Sequence, residues 1–382
     1  MANKYHILFC IPSLASTGGM EKVITAKANY FAEVIGHHVT ILISDQNNKP
    51  ISFPVSKNVT CKDLHIKNMI SGGIKGISFL KNIITLRKVY TKEINTLNPD
   101  IIIVPERGYE DFIIPYICKH IPKIREYHFS RKASELLEKE LPLSTRIKSR
   151  LIKQFYFKQF KNYNSLILLT EKDKKEWKHI KNVNVIPNYI ESTADGKHAI
   201  LTRPKKVISV GSMQNDRKGF SNLIRIWSKL NNTNHWTLHI YGDGTYRPVL
   251  QKQIEKLNLQ DSVFLEGNSN SINQKYQESQ LFLFTSKGEG FGMVIVEAQQ
   301  HGVPAISYDC YCGPSDIIKH NQGGFLIPMN DETAFIKHCE LLLNNDRLRK
   351  EKSEEAYINA KRFNKENIMP LWDDLFFKLI KQ

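Results

Sequence analysis

Short apolar runs alternate with longer stretches of helical periodicity along most of the chain. In the first half the runs are HILFCIPSL (6–14), HHVTILIS (37–44), DIIIVP (100–105), KIREYH (123–128) and SLILLT (165–170). Each is too short for a helix and lacks the strict alternation of a strand with one wet face. The pattern therefore predicts parallel strands buried on both sides. Periodicity lapses after Pro187, in ESTADGKHAILTRPKK (191–206), then returns with KKVISVGS (205–212), TLHIYGDG (237–244), VFLEG (263–267), LFLFTS (281–286) and PAISYD (304–309). Parallel strands need long crossovers, so each half reads as its own βαβ sheet. From Asp331 onward the pattern is helical and charged, closing on the aromatic tail MPLWDDLFFKLI (369–380).

Length agrees with two units, since 382 residues exceed the roughly 250–300 that one core usually serves. The expected division is 1–190 for a first Rossmann-like domain, 191–204 for a linker and 205–365 for a second such domain. Residues 366–382 are expected to form a helix that packs back on the first. Ligands of open parallel sheets bind at the carboxyl ends of the strands, and two facing sheets leave a cleft between them. The informative residues should then follow the strands.

Net charge is +16 and unevenly placed. Residues 1–200 hold 31 Lys+Arg against 18 Asp+Glu, whereas the remainder holds 23 against 20. The excess peaks in residues 119–181, with 17 against 7, so the first half is the part that meets an anionic surface. The six cysteines are scattered without paired spacing, which fits reduced thiols in a cytosol and no zinc site. Pro12 interrupts the opening apolar run, so it is not read as a signal peptide. No apolar run approaches the roughly 20 residues of a membrane span.

Chemistry-bearing residues do follow strands. Gly18 and Gly19 stand where a helix should begin after the first run, allowing close backbone approach and free amides for an anion. A tight strand-to-helix turn explains the same pair. In VGSMQNDRKGF, Arg217 and Lys218 precede a helix predicted from about Gly219 to Leu230, a phosphate-binding arrangement or a solvated basic turn. The stretch GEGFGMVIVEAQQHG (288–302) sets Glu289 in a loop after a strand and Glu297 one turn into a helix that Gly302 closes. A glycosidase would use two acids for proton transfer across one scissile bond, a separation that nothing here requires. Acids that accept hydrogen bonds from sugar hydroxyls, beside helix-start amides at Gly290 to Met293, make one coherent sugar-nucleotide site.

The segment SKGEGFGMVIVEAQQHGVPAISYDCYCGPSDII closely resembles the glutamate, seven residues, glutamate motif of the family 4 retaining glycosyltransferases of bacterial surface-polysaccharide type. SLASTGGMEKVI is similar to that family's double-glycine loop, VIPNYI to its interdomain asparagine segment, and VGSMQNDRKG to its phosphate-binding loop. The resemblance implies the GT-B fold: α/β, with two facing Rossmann-like parallel-sheet domains and an interdomain cleft. It implies that Glu297 holds ribose hydroxyls and Glu289 contacts the transferred sugar. Phe291 and Gly292 would offer backbone amides, Lys218 would neutralise the diphosphate, and Gly19 would close over the phosphates. Many members carry an arginine where this chain has Ser212, and Arg217 is the nearest substitute. His128 stands where the family often has a histidine near the transferred sugar, and a core histidine reads equally well. Asn188 orients the linker, contacts the site, or is a plain turn residue.

The expected activity is transfer of a hexose or N-acetylhexosamine from a UDP-sugar, with retention, to a lipid-linked or surface-polysaccharide acceptor bound by the first domain. No metal or other cofactor is expected, because Lys218, Arg217 and helix-start amides would stabilise the leaving diphosphate. The segment RIKSRLIKQFYFKQFKN (146–162) mixes apolar and basic positions as an interfacial helix does, although an ordinary domain helix has the same composition. A cytoplasmic protein, peripheral on the inner face of the plasma membrane, follows from that reading. Nucleic acid is not an expected partner, since no helix-turn-helix, zinc finger or RRM-type strand is present. A dinucleotide oxidoreductase would need GxGxxG after the first strand, and Gly18-Gly19 is not that motif.

Overall fold

The structure, a computed structural model, describes residues 4–16, 18–69, 76–105, 108–140, 142–191, 200–231 and 235–381. The first sheet holds β1 (His6–Ile11), β2 (His38–Ile43), β3 (Val59–Asp63), β4 (Ile101–Val104), β5 (Lys123–Tyr127), β6 (Ser165–Leu168) and β7 (Val183–Val185). The second holds β8 (Lys206–Val210), β9 (Thr237–Tyr241), β10 (Val263–Gly267), β11 (Leu281–Phe284), β12 (Ala305–Tyr308) and β13 (Gly324–Ile327). Their orders are β3-β2-β1-β4-β5-β6-β7 and β10-β9-β8-β11-β12-β13. Neighbours in both sheets are parallel. The fold is α/β with two Rossmann-like sheets.

Each apolar run named from the sequence is a strand. Three further strands, β3, β7 and β13, lie at sheet edges, where pairing on one side only lets polar residues stand, as in VTCKD and VNV. Most of the linker, residues 192–199, lies outside the described residues. At the crossing itself, Ile190 pairs with Asn364 in an isolated bridge. The helix Lys365–Ile380 carries Ile368, Met369, Trp372, Leu375 and Phe376 into the core of the first sheet, against Phe31, Ile24 and Tyr189.

Several contacts fix how the two sheets face each other. A Cβ on Gly290 would fall 2.0 Å from the carbonyl oxygen of His128, so only glycine permits that approach. Lys172 pairs with Asp309 at 3.2 Å, and the Tyr311 hydroxyl donates to Glu176. Both pairs cross between the domains, beside the ends of β6 and β12.

Candidate functional site

The loop after β8 builds the first part of the site. A Cβ on Gly211 would press to 2.9 Å on the Lys218 side chain, so glycine there lets the lysine fold back across the strand end. The Asn215 side chain accepts from the Arg217 N–H at 3.0 Å and caps the short turn Asp216–Lys218. Gly219 then adopts φ 70°, with a hypothetical Cβ 2.1 Å from the Thr285 carbonyl oxygen. The turn is thereby locked against the end of β11, and Lys218 is aimed at the loop that follows.

That loop carries Glu289, only 7% exposed. Lys218 Nζ lies 2.7 Å from its Oε1, Arg217 Nη1 3.6 Å from its Oε2, and the Ser286 hydroxyl donates to Oε1 at 2.6 Å. Burial alone would raise the Glu289 pKa, but the Lys218 and Arg217 charges and two hydrogen bonds outweigh it and hold the carboxyl below its ordinary value. Glu289 is therefore ionised at neutral pH. Arg217 is itself fixed, donating to the Gly288 carbonyl at 3.0 Å and lying 5.7 Å from the Phe129 ring centroid of the first domain.

Past Glu289 the chain touches the first domain at Gly290 and buries Phe291 edge-on to Phe363, with centroids 5.3 Å apart. Gly292 (φ 97°) then turns it into the helix Met293–Gln300. Glu297 lies one turn along. Its Oε2 accepts from the Tyr276 hydroxyl at 3.3 Å, and its Oε1 pairs with Lys22 Nζ of the first domain at 3.1 Å. Burial, then the nearby Glu297, pushes the Tyr276 phenol well above its ordinary value, so it remains a donor.

From the first domain, Gly18 is extended and Gly19 opens the helix Gly19–Tyr30. A Cβ on Gly19 would meet nothing within 4 Å, so the fold itself does not demand glycine there. His128 follows β5 with its side chain 9% exposed. Its Nε2 is 3.2 Å from Glu126 Oε2. Glu126 in turn pairs with the buried Lys27 at 2.5 Å, and the Lys27 ammonium sits 3.9 Å above the Trp372 ring centre. Burial opposes ionisation of Glu126, but Lys27 and His128 overcome it and bring its pKa down to about 2.

The structure thus gathers Lys218, Arg217, Glu289 and Gly290 into one contact network with the His128 backbone, and holds Glu297 against Lys22. Phe291, Gly292 and Met293 lead from one acid to the other. The Ser212 hydroxyl accepts from the Gln214 N–H at 3.3 Å. Asn188 is buried at the domain crossing, two residues before the Ile190 bridge. Sequence reasoning missed Lys22, Tyr276, Ser286, Lys27 and Glu126. Ser286 had a usable signal, its place just after a strand.

Residues 191–362 match the family model described as glycosyl transferases group 1. The part of the chain that carries Lys218, Glu289 and Glu297 is a group 1 glycosyl transferase domain. The whole chain is 26% identical over 374 residues to an uncharacterised glycosyltransferase of Haemophilus influenzae, covering 95% of this chain and 98% of that one. It is 29% identical over 218 residues to the amylovoran biosynthesis glycosyltransferase AmsD of Erwinia amylovora, covering 55% and 61%. Among solved structures TarM superposes with a TM-score of 0.79 at 16% identity over 98% of this chain and 99% of that one. A mutant of S. aureus TarM in complex with Fondaparinux, alpha-GlcNAc-glycerol and UDP gives 0.76 at 16% identity, over 97% and 99%. The GT-B fold is shared across the full length, and the described site lies between its two sheets.

Proposed function

We propose that this chain is a glycosyltransferase that moves a hexose or N-acetylhexosamine from a UDP-sugar to a lipid-linked or surface-polysaccharide acceptor, with retention of configuration. The observation that carries the reading is Glu289: buried, ionised and clamped by Lys218, Arg217 and Ser286, it is an acceptor of hydrogen bonds and not a proton donor. It would hold hydroxyls of the transferred sugar. Glu297 would take the ribose hydroxyls, having lone pairs left beside Lys22 and Tyr276. Lys218 and Arg217, with the amides from Gly290 to Met293, would face the diphosphate.

Stabilisation then comes from fixed charge directed at the leaving group, whose negative charge grows as the glycosidic bond breaks. The departing phosphate oxygen would take the acceptor hydroxyl's proton on the same face, so no strong protein base is needed and the anomeric configuration is kept. No metal is required in this scheme. Gly19, free of steric demands within its own fold, would let the first domain close over the phosphates, with His128 beside the sugar and Asn188 supporting the crossing. The UDP preference is supported by the UDP complex of the TarM neighbour. The acceptor is supported by AmsD, whose name places it in amylovoran biosynthesis.

A peripheral position on the inner membrane face is part of the proposal. Among the described residues no helix is long and apolar enough to cross a membrane, whereas the helix Leu143–Lys158 presents both apolar and basic side chains outward. Calorimetric titration with UDP-, GDP- and ADP-sugars tests the donor, and NMR of the product anomer tests retention. Indifference to every nucleotide sugar would remove the proposal.

A further inference from the structure

Ile124, Glu126 and His128 take alternate positions along β5 and just past its end, so all three side chains project from one face of the first sheet. That face carries the core shared with the helices Gly19–Tyr30 and Lys365–Ile380, where Ile124 lies in one cluster with Phe9, Ile24, Trp372 and Phe376. Glu126 is an acid set into it, 1% exposed. Its Oε2 has two neighbours, the Lys27 ammonium at 2.5 Å and His128 Nε2 at 3.2 Å. Its Oε1 is buried and has no hydrogen-bond partner among the described residues.

Stability does not explain this acid. Attraction within a buried ion pair offsets desolvation only where the remaining lone pairs are also satisfied, and an apolar pair of similar volume often serves a core as well or better. What Glu126 also reaches is His128. An ionised carboxylate can only accept, so the ring nitrogen that faces it carries the hydrogen, and in the neutral ring the lone pair is confined to Nδ1. The main chain of His128 is held separately, since its carbonyl abuts Gly290 in the loop of Glu289. Core and cleft therefore each fix one part of the same residue, the ring from within the first domain and the backbone from the second.

We infer that Glu126 is a positioning residue of the donor-sugar site: acting through His128, it fixes the ring with the Nε2 hydrogen inward and offers Nδ1 to the cleft as acceptor for a hydroxyl of the transferred sugar. Lys27, seated 3.9 Å above the Trp372 ring centre, holds the acid in place from the helix that packs back across the domain boundary. This rests on the transferase reading of the site and adds one demand to it. The sugar must present a hydroxyl hydrogen to His128, and UDP, which lacks the sugar, gains nothing from Glu126.

The test uses the full chain, with hydrolysis of a panel of UDP-hexoses and UDP-N-acetylhexosamines to report on the sugar and calorimetry with UDP to report on the nucleotide alone. Lys27→Met/Glu126→Gln leaves no bare charge, and its Gln can present an oxygen or an amide hydrogen, so the ring is no longer held in one form. His128→Ala and this paired variant are each expected to slow hydrolysis of the preferred sugar nucleotide about 3- to 10-fold, the weight of one neutral hydrogen bond. In the paired variant UDP affinity should stay at the wild-type value. All three substitutions together should lose no more than His128→Ala alone, because the acid acts through the ring. Losses that multiply, hydrolysis untouched by either variant, or UDP binding that falls as far as hydrolysis would overturn the inference. Where the paired variant does not fold, the wild-type chain decides. Two-bond 15N–1H spectra, with the His128 signal identified by its absence from His128→Ala, should show the neutral ring with hydrogen on Nε2 and a bare Nδ1, and hydrogen on Nδ1 would overturn the inference. Failure of the wild type to hydrolyse any UDP-sugar would instead strike the transferase reading.

Discussion

Lys22 Nζ and Glu297 Oε1 stand 3.1 Å apart, joining the first helix of one sheet domain to the acid-bearing helix of the other. Lys22 is 56% exposed on its side chain, and exposed pairs contribute about 0.2–1 kcal/mol. Lys22→Ala is therefore expected to leave thermal stability unchanged while raising the donor KM by up to about fivefold, since the carboxylate loses one of its two fixed partners. Steady-state kinetics beside a melting curve checks this. An unchanged donor KM would show that the pair is incidental to binding.

Gly290 and His128 meet backbone to backbone, with room for no Cβ. Gly290→Ala forces the two domains apart or distorts the loop that carries Glu289. Overpacking of this kind costs about 1–3 kcal/mol, so turnover should fall at least about tenfold while far-UV circular dichroism stays native. Small-angle scattering should show a larger radius of gyration.

The Lys27–Glu126 pair is buried under Trp372. Removing either partner leaves an uncompensated charge and is expected to cost about 3–5 kcal/mol. Lys27→Met combined with Glu126→Gln should recover much of that loss, because no bare charge remains. Urea midpoints of the two single variants and the double variant measure the coupling.

Acid should destabilise the fold through several groups with the same sign. Burial, then repulsion from Arg203, brings His301 down to about 4. The unfolded chain therefore binds a proton that the native state refuses, and stability falls as pH drops from about 6.5 toward 4. Glu126, at about 2 when folded, contributes stability that is complete above about 4.5 and is lost as pH falls toward 2. Glu289, also lowered, adds in the same direction. Melting temperatures between pH 7 and pH 4 should decline, and His301→Gln should flatten the upper part of that decline.

Ten of the thirteen described strands were legible, most of them because burial on both faces writes an unbroken apolar run such as LFLF or IIIV. Of the four edge strands only VFLEG was: VTCKD and VNV mix polar residues among the apolar ones, and GFLI is a short run opened by glycine. The site divides the same way. Lys218 and Glu289 follow strands and Glu297 lies early in a helix, and the resemblance of their motifs to a known family singled them out. The ionised state of Glu289 depends on a lysine 71 residues away, and Lys22 and Glu297 are 275 residues apart. Nothing local distinguishes Lys22 from other lysines on its helix, nor Glu126 from an ordinary strand residue. The Lys22 contact belongs to the arrangement of the domains, and those of Glu126 and Glu289 to tertiary packing within one domain.

Titration of the wild-type chain, Lys218→Ala and Glu297→Ala with a UDP-sugar tests the central claim most directly. Charge-assisted hydrogen bonds contribute about 1.5–3 kcal/mol each, so each variant should bind about 10- to 100-fold more weakly with native far-UV circular dichroism. Wild-type affinity in both variants would contradict the account, because the lysine and the acid would then lie outside the donor site.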